Sequence, residues 1–250
     1  LEDNLSKTIL NTSDGAAEFD LVIGADGRNS IIRELAAINY SKKTYKESIL
    51  VTEIKHSISN NNTSFEIHRN GSLLTSVPTT NKKSAIVMID AAEKIDSIDQ
   101  NNLNKRIQDG LSTYLGKTTV NDKYSVFPSE TIHTEKLYRN RVMLVGESAH
   151  VIPPIGAQGL NLGLRDIITF YNLLLESNGK DPGAKTILSR YNNMRWLDIY
   201  KRYKSVNLLY QSMMNYNAGY SALRNIGFLT LNKSSRVRNI LLTEGLSFNK

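Results

Sequence analysis

The stretch from Gly146 to Asp166, GESAHVIPPIGAQGLNLGLRD, gathers residue types that let a backbone come close to a ligand. The preceding RVMLV has the wording of a buried strand, and from Gly159 onward the apolar spacing becomes helical. A strand feeding a glycine-rich loop and then a helix brings unpaired N–H groups and the positive end of a helix dipole to one point. Such a point binds anions or stabilises developing negative charge. Gly156 and Gly159 remove Cβ atoms where a flat or charged ligand would approach. Pro153-Pro154 stiffens the approach and resists helix formation. Glu147, just after the strand, stands where an acid can accept hydrogen bonds from ribose hydroxyls. The segment points to a nucleotide-type cofactor; the alternative is a turn and helix cap with no ligand.

A second stretch, FDLVIGADG from Phe19 to Gly27, follows the same grammar. Leu21-Val22-Ile23 reads as a buried strand, Asp26-Gly27 as a tight turn, and Ile31, Ile32, Leu35 and Ile38 as a helix. Out of context, Asp26 can be a turn acid and Arg33 a partner of nearby acids or of solvent. His150 reads as a packed strand-end histidine rather than a proton shuttle. His56 and His68 lack metal-ligand spacing, so no metal site is expected. Trp196 and the tyrosines at 191, 200, 203 and 210 read as packing.

The elements that must position these residues come from the rest of the chain. Its 250 residues suffice for one or two domains, and 40% apolar with 22% charged residues is a globular composition. No apolar run is long enough to span a bilayer. The start does not read as a signal peptide, and with no cysteine there is no disulfide or thiolate chemistry, which fits a cytoplasmic protein. The net charge of +7 is uneven, with Lys201, Arg202, Lys204, Arg224, Lys233, Arg236 and Arg238 near the end. That pattern suits an anionic membrane surface or is a solvated basic face. No zinc, RNP or helix-turn-helix signature supports nucleic-acid binding. Leu1 to Ser13 reads as a strand end entering a turn, and the absence of an initiating Met suggests a piece of a longer protein.

From Tyr45 to Asp90, alternating segments separated by turn clusters such as Asn70-Gly71 read as an antiparallel sheet. A helix is expected over Asn101 to Gly116, then strand-like wording that Pro128 interrupts. After Gly159, Leu160, Leu164, Ile167, Ile168, Tyr171, Leu174 and Leu175 share a broad helical face, with Gly179 as the stop. Asp181-Pro182 reads as N-cap and first residue of a long helix ending near Asn215, with shorter helices from about Tyr220 and Ser234. The expected fold class is α/β (α+β). Residues 1–40 and 135–179 would form one nucleotide-binding domain, interrupted by an antiparallel-sheet domain over 41–134 and followed by a helical tail over 180–250.

LVIGADGRNSIIR, Leu21 to Arg33, resembles the second fingerprint of the flavoprotein aromatic hydroxylases, the p-hydroxybenzoate hydroxylase-like FAD monooxygenases. GESAHVIPPIGAQGLN resembles their third fingerprint, and the two stand in the family's order around a substrate sheet. PPIGAQGLNLGLRD, FEIHRNGSLLTSVP and the helical tail resemble the ubiquinone-biosynthesis branch, and the likeness covers most of the chain. Glu147 replaces the family's usual Asp, and Ser148 its usual Ala. The family's first fingerprint, a Gly-x-Gly-x-x-Gly loop that cradles the FAD pyrophosphate, does not occur in these residues. Its βαβ unit is expected before Leu1, which makes the FAD-binding Rossmann-like domain incomplete and this piece by itself inactive.

The resemblance implies an FAD enzyme that is reduced by NAD(P)H, reacts with oxygen and hydroxylates the ring of a polyprenylated phenol. It implies a membrane surface and a ubiquinone-biosynthesis assembly as partners, with the protein peripheral to the inner face of the membrane. Asp26 and Gly27 would lie near the pyrophosphate and the NADPH path. Arg33 would steady that turn or meet a phosphate. Glu147 would hold the ribityl or pyrophosphate end, and Gly146 beside it would be a further cofactor-binding residue. Pro154 would lie beside the isoalloxazine. Gly156, Gln158, Gly159, Leu160 and Asn161 would wrap its pyrimidine edge. No side chain is assigned a catalytic role. The alternatives are an FAD hydroxylase of a soluble aromatic and a non-catalytic truncated or assembly subunit.

Overall fold

The computed structural model describes residues 2–3, 6–13, 15–69, 71–155, 158–215, 218–236 and 239. The expectations for Asn70, Gly156 and Arg238 fall outside these residues. In chain order the elements are β1 (Glu2–Asp3), β2 (Thr8–Thr12), β3 (Gly15–Phe19), β4 (Val22–Gly24), α1 (Ile31–Leu35), β5 (Tyr40–His56), β6 (Phe65–Arg69), β7 (Ser72–Thr80) and β8 (Lys83–Ala91). They continue as α2 (Ala92–Asp96), α3 (Gln100–Leu115), β9 (Thr118–Thr134), β10 (Tyr138–Arg139), β11 (Val142–Leu144), a 3-10 turn (Gly146–Ser148) and β12 (His150–Val151). Helices α4 (Gln158–Glu176), α5 (Lys185–Met214) and α6 (Ala218–Lys233) follow.

The chain forms two compact units. The first comprises residues 1–43, 130–210 and 227–250; the second comprises 44–129 and 211–226. In the second unit, strands stand in the order β9-β5-β8-β7-β6, with β5, β8, β7 and β6 paired antiparallel. Asp99 caps α3 by accepting from the Asn102 N–H, and Gly116, at φ 71°, ends it. Leu103, Ile107, Leu111 and Leu115 recur at helical spacing and bury one face of α3 against Leu50, Ile54, Ile86 and Met88. Each contributes roughly 1.5–3 kcal/mol. Gly110 allows the close approach, since a Cβ there would lie 2.5 Å from Leu74 Cδ2. β9 runs unbroken through Pro128, contrary to the interruption expected there. Proline removes one donor, but its fixed φ suits extended backbone.

In the first unit, β1, β2 and β3 form a small antiparallel sheet. A second sheet has the order β10-β11-β4, with β11 parallel to β4 and Leu144 opposite Gly24. Val142, Met143 and Leu144 are fully buried beneath Leu162, Phe170 and Leu173 of α4 and Leu188, Tyr191 and Ile199 of α5. The Tyr191 hydroxyl donates to the Leu144 carbonyl at 3.0 Å, fixing α5 to the end of β11.

Three local expectations are corrected. The apolar face of α4 that periodicity picks out, from Leu160 to Leu175, is largely exposed, whereas Leu162, Asp166, Phe170 and Leu173 are the buried set. A helix apolar on most sides gives periodicity no means of choosing its inner face. In α1, Ile31 and Leu35 are exposed while Arg33 is buried. Asp181 does not open α5, which starts at Lys185; its carboxylate accepts from the Gly183 N–H and pairs with Arg141.

Candidate functional site

β4 and β11 lie side by side and parallel, so their carboxyl ends deliver the two motifs to one edge. The Val145 N–H donates to the Gly24 carbonyl at 3.0 Å, carrying the pairing to the brink of both loops. Ligands of open α/β sheets bind beyond such carboxyl ends. Gly24 is required for this proximity, because a Cβ there would lie 2.7 Å from Leu144 Cδ2.

Asp26 accepts from the Ser30 hydroxyl at 2.5 Å and from the Ile32 N–H at 3.0 Å, so it folds the turn back onto the start of α1. Burial opposes its charge, but these hydrogen bonds outweigh burial and hold its pKa below the ordinary value. Gly27 has φ 81°, and open space lies where a Cβ would be. Arg33 is 1% exposed. It donates to the Ser148 carbonyl at 2.8 Å and the Arg28 carbonyl at 3.0 Å, and its guanidinium lies 4.1 Å over the Tyr40 ring. One side chain thus pins both motif loops from behind. Its two hydrogen bonds go to backbone carbonyls.

Gly146 has φ 62° and donates its N–H to Asp166 Oδ2 at 2.9 Å. The Glu147 side chain is 53% exposed and meets Arg28 through two contacts of 3.3 Å, joining residues 119 positions apart. The Ser148 hydroxyl is buried and reaches the Gly24 carbonyl at 2.6 Å and the Val145 carbonyl at 2.8 Å. Farther along, the Ile155 N–H donates to the Pro153 carbonyl at 2.8 Å, closing a tight turn around half-buried Pro154. Gln158 opens α4 and accepts from Arg202 Nη1 at 3.2 Å. Gly159 is exposed with no atom within 4 Å of a would-be Cβ, Leu160 is 74% exposed, and Asn161 is half-buried. Asp26, Gly27, Gly146 and Glu147 are therefore brought together, with Arg33 behind them, and Gln158, Gly159, Leu160 and Asn161 form an open shelf at the head of α4.

Sequence reasoning missed a buried charged cluster beneath this edge. Asp166, fully buried, accepts from Gly146, from His150 Nε2 at 2.8 Å and from Arg195 Nε at 2.8 Å. Burial opposes its charge, yet these partners hold its pKa below the ordinary value. Arg195 also reaches Asp198 at 2.7 Å, and Arg202 meets the same carboxylate at 3.1 Å. Burial likewise opposes the Asp198 charge and is outweighed by Arg195, so its pKa is lowered too. Burial and the nearby Arg202 charge lower the pKa of Arg165, which lies 3.6 Å from Asp198. The one available signal was an acid at helical spacing among Leu162, Phe170 and Leu173. His150 is a buried partner of Asp166, as a packed histidine should be. Among the described residues no cluster of potential metal ligands occurs, and no helix is long and apolar enough to cross a membrane. A cleft of about 740 Å³ bordered by Asn39, Lys136, Arg139 and Lys185 contains none of the motif residues.

Residues 2–198 match the family described as FAD binding domain. A ubiquinone hydroxylase, UbiM, of Neisseria meningitidis serogroup C is 26% identical over 211 residues, covering 82% of this chain and 46% of that protein. The 3-demethoxyubiquinol 3-hydroxylase of Escherichia coli K12 is 25% identical over 231 residues, covering 90% of this chain and 59% of that protein. The chain thus spans about half the length of the curated relatives it matches. Klebsiella pneumoniae HpxO, solved with FAD and uric acid, superimposes with a TM-score of 0.76 at 14% identity, over 98% of this chain and 65% of that one. This likeness shows a shared fold: mixed α/β with a curled antiparallel sheet and helices toward the carboxyl terminus.

Proposed function

We infer the function from one premise: the chain belongs to the FAD binding domain family. The reading is an FAD-dependent, NAD(P)H-using monooxygenase that hydroxylates the aromatic ring of a polyprenylated phenol in ubiquinone biosynthesis. One observation carries it: two distant motifs meet at the carboxyl ends of parallel strands, beside an open helix start. These residues fit a flavin dinucleotide. Gly27 and Gly146 leave space where side chains would otherwise stand, and Gly159 keeps the shelf clear.

When bound, FAD supplies the electron transfer and the oxygen chemistry. The residues would bind and orient it. Glu147 would accept hydrogen bonds from ribityl or ribose hydroxyls, exchanging part of its contact with Arg28. Asp26 and Gly27 would face the pyrophosphate, with Arg33 holding the loop from behind. Pro154, Gln158, Gly159, Leu160 and Asn161 would border the isoalloxazine. There the first N–H groups of α4 favour negative charge on its pyrimidine edge. Gly156 belongs to the same loop in sequence.

The relatives named as a ubiquinone hydroxylase and a 3-demethoxyubiquinol 3-hydroxylase support this substrate class. A polyprenylated phenol resides in a bilayer, so the protein would work at the inner face of a membrane. The basic residues Lys201, Lys204, Lys233 and Arg236 support attachment at about 1 kcal/mol each near an anionic leaflet. The test is NAD(P)H oxidation and product analysis by the full-length natural protein loaded with FAD. Hydroxylation of a prenylated phenol in preference to a soluble one supports the reading. NAD(P)H oxidation coupled only to a soluble phenol would redirect it to that substrate class.

A further inference from the structure

We propose that Asp166, Arg195, Asp198 and Arg202 form a positioning relay that fixes the Gly146–Ser148 turn relative to the head of α4. The contacts are continuous. The Gly146 N–H donates to Asp166; Arg195 donates to Asp166 at 2.8 Å and to Asp198 at 2.7 Å. Arg202 donates to Asp198 at 3.1 Å and to Gln158 Oε1 at 3.2 Å. Gly146 and Gln158 are thereby tied through side chains of α4 and α5.

The chemistry favours rigidity. Asp166 is fully buried and Arg195 only 5% exposed, so their charged hydrogen bond acts in a poorly screened interior, while the Asp198 end of the relay is part-buried. Gly146 sits in the left-handed region, a conformation with no side chain to hold it. A carboxylate that accepts its N–H supplies the missing restraint. The same carboxylate takes His150 Nε2, which fixes the strand that leaves the turn. A packing role alone would need an apolar residue at 166; a buried acid with three donors aims its oxygens at a backbone amide of the motif. These four residues act through the loop and are positioning residues. That the positioned ligand is flavin rests on the function proposed above.

The test uses hydrogen exchange of the peptide covering residues 145–148 together with FAD affinity, in wild type, Asp166→Asn, Arg202→Met and Arg190→Met. Arg202 does not touch Gly146, so its effect must travel through the relay. Arg190→Met severs an exposed α4–α5 ion pair with Glu176 and serves as the control. Asp166→Asn and Arg202→Met are expected to exchange roughly tenfold faster at Gly146 and to weaken FAD binding about tenfold, the scale of one charged hydrogen bond. Arg190→Met should change neither. Exchange in Arg202→Met that equals wild type or the control would overturn the relay. Faster exchange with unaltered FAD affinity would overturn its positioning role and leave a structural brace. Responsive exchange in a protein that binds no FAD would remove the flavin reading while the relay stands.

Discussion

Replacing Arg33 by Met should cost about 3 kcal/mol, placing it among the large single-residue effects. The side chain is 1% exposed and gives charged donors to the carbonyls of Ser148 and Arg28 at 2.8 and 3.0 Å. Charged hydrogen bonds contribute about 1.5–3 kcal/mol each, so two represent roughly 3–6 kcal/mol before offsets. The guanidinium over Tyr40 adds about 1–2 kcal/mol in this buried setting. Against these stands the desolvation of a buried cation, which Met relieves by several kcal/mol. Met keeps much of the volume, so the net loss reflects two stranded carbonyls and an untied pair of loops. Arg33→Lys should lose most of the same stability, because a single ammonium cannot span both acceptors. Urea unfolding tests this: the midpoint should fall while the slope stays constant. A Met variant within about 0.5 kcal/mol of wild type would refute the reasoning. If such a variant instead lost FAD affinity in a salt-sensitive way, Arg33 would be a phosphate ligand.

Other outcomes follow from the same geometry. Gly24→Ala should destabilise by about 1–3 kcal/mol through overpacking against Leu144 and Ile32, seen as a lower melting temperature. Gly27→Ala meets no atom and should cost only the roughly 1–2 kcal/mol of left-handed backbone strain, by the same melt. Ser148→Ala, which restores the residue usual in the resembled family, should cost at most about 1 kcal/mol in urea, because the Gly24 carbonyl keeps the Val145 N–H. Burial, with the charges of His150 and Lys204, lowers the pKa of His133 below 6.5. The unfolded chain then takes up this proton first, so stability is full above pH 6.5, declines as pH falls through 6.5, and levels off below the folded value. His133→Gln should flatten that slope in a pH series of urea midpoints.

The strand–turn–helix pieces and the antiparallel sheet were legible because their signals are local. Val22 to Gly24 is a short apolar run ending in glycine, Val142 to Leu144 is one followed by glycine at 146, and α3 carries a single apolar stripe between Asp99 and Gly116. The inner face of α4 was not legible. Leu160, Ile167 and Leu175 outweigh the buried set in apolar character, and tertiary packing alone selects Leu162, Asp166 and Phe170. The motif residues could be named from their wording, but the partnership of Arg28 with Glu147 needs the parallel pairing of β4 with β11. The same holds for Asp166 with Arg195. Each looks like an ordinary helical charge until two helices and a loop converge on it.

A fluorescence titration of FAD into the full-length protein, with Gly159→Asp alongside, decides whether the edge formed by these loops holds flavin. Gly159 is exposed and open around its Cβ position, and an acid suits the first turn of α4, so the variant should fold as wild type does. Saturable quenching of flavin emission by wild type and its loss in Gly159→Asp is the expected result. Equal binding by both, with matching melting curves, would place the flavin away from the head of α4 and contradict the assignment.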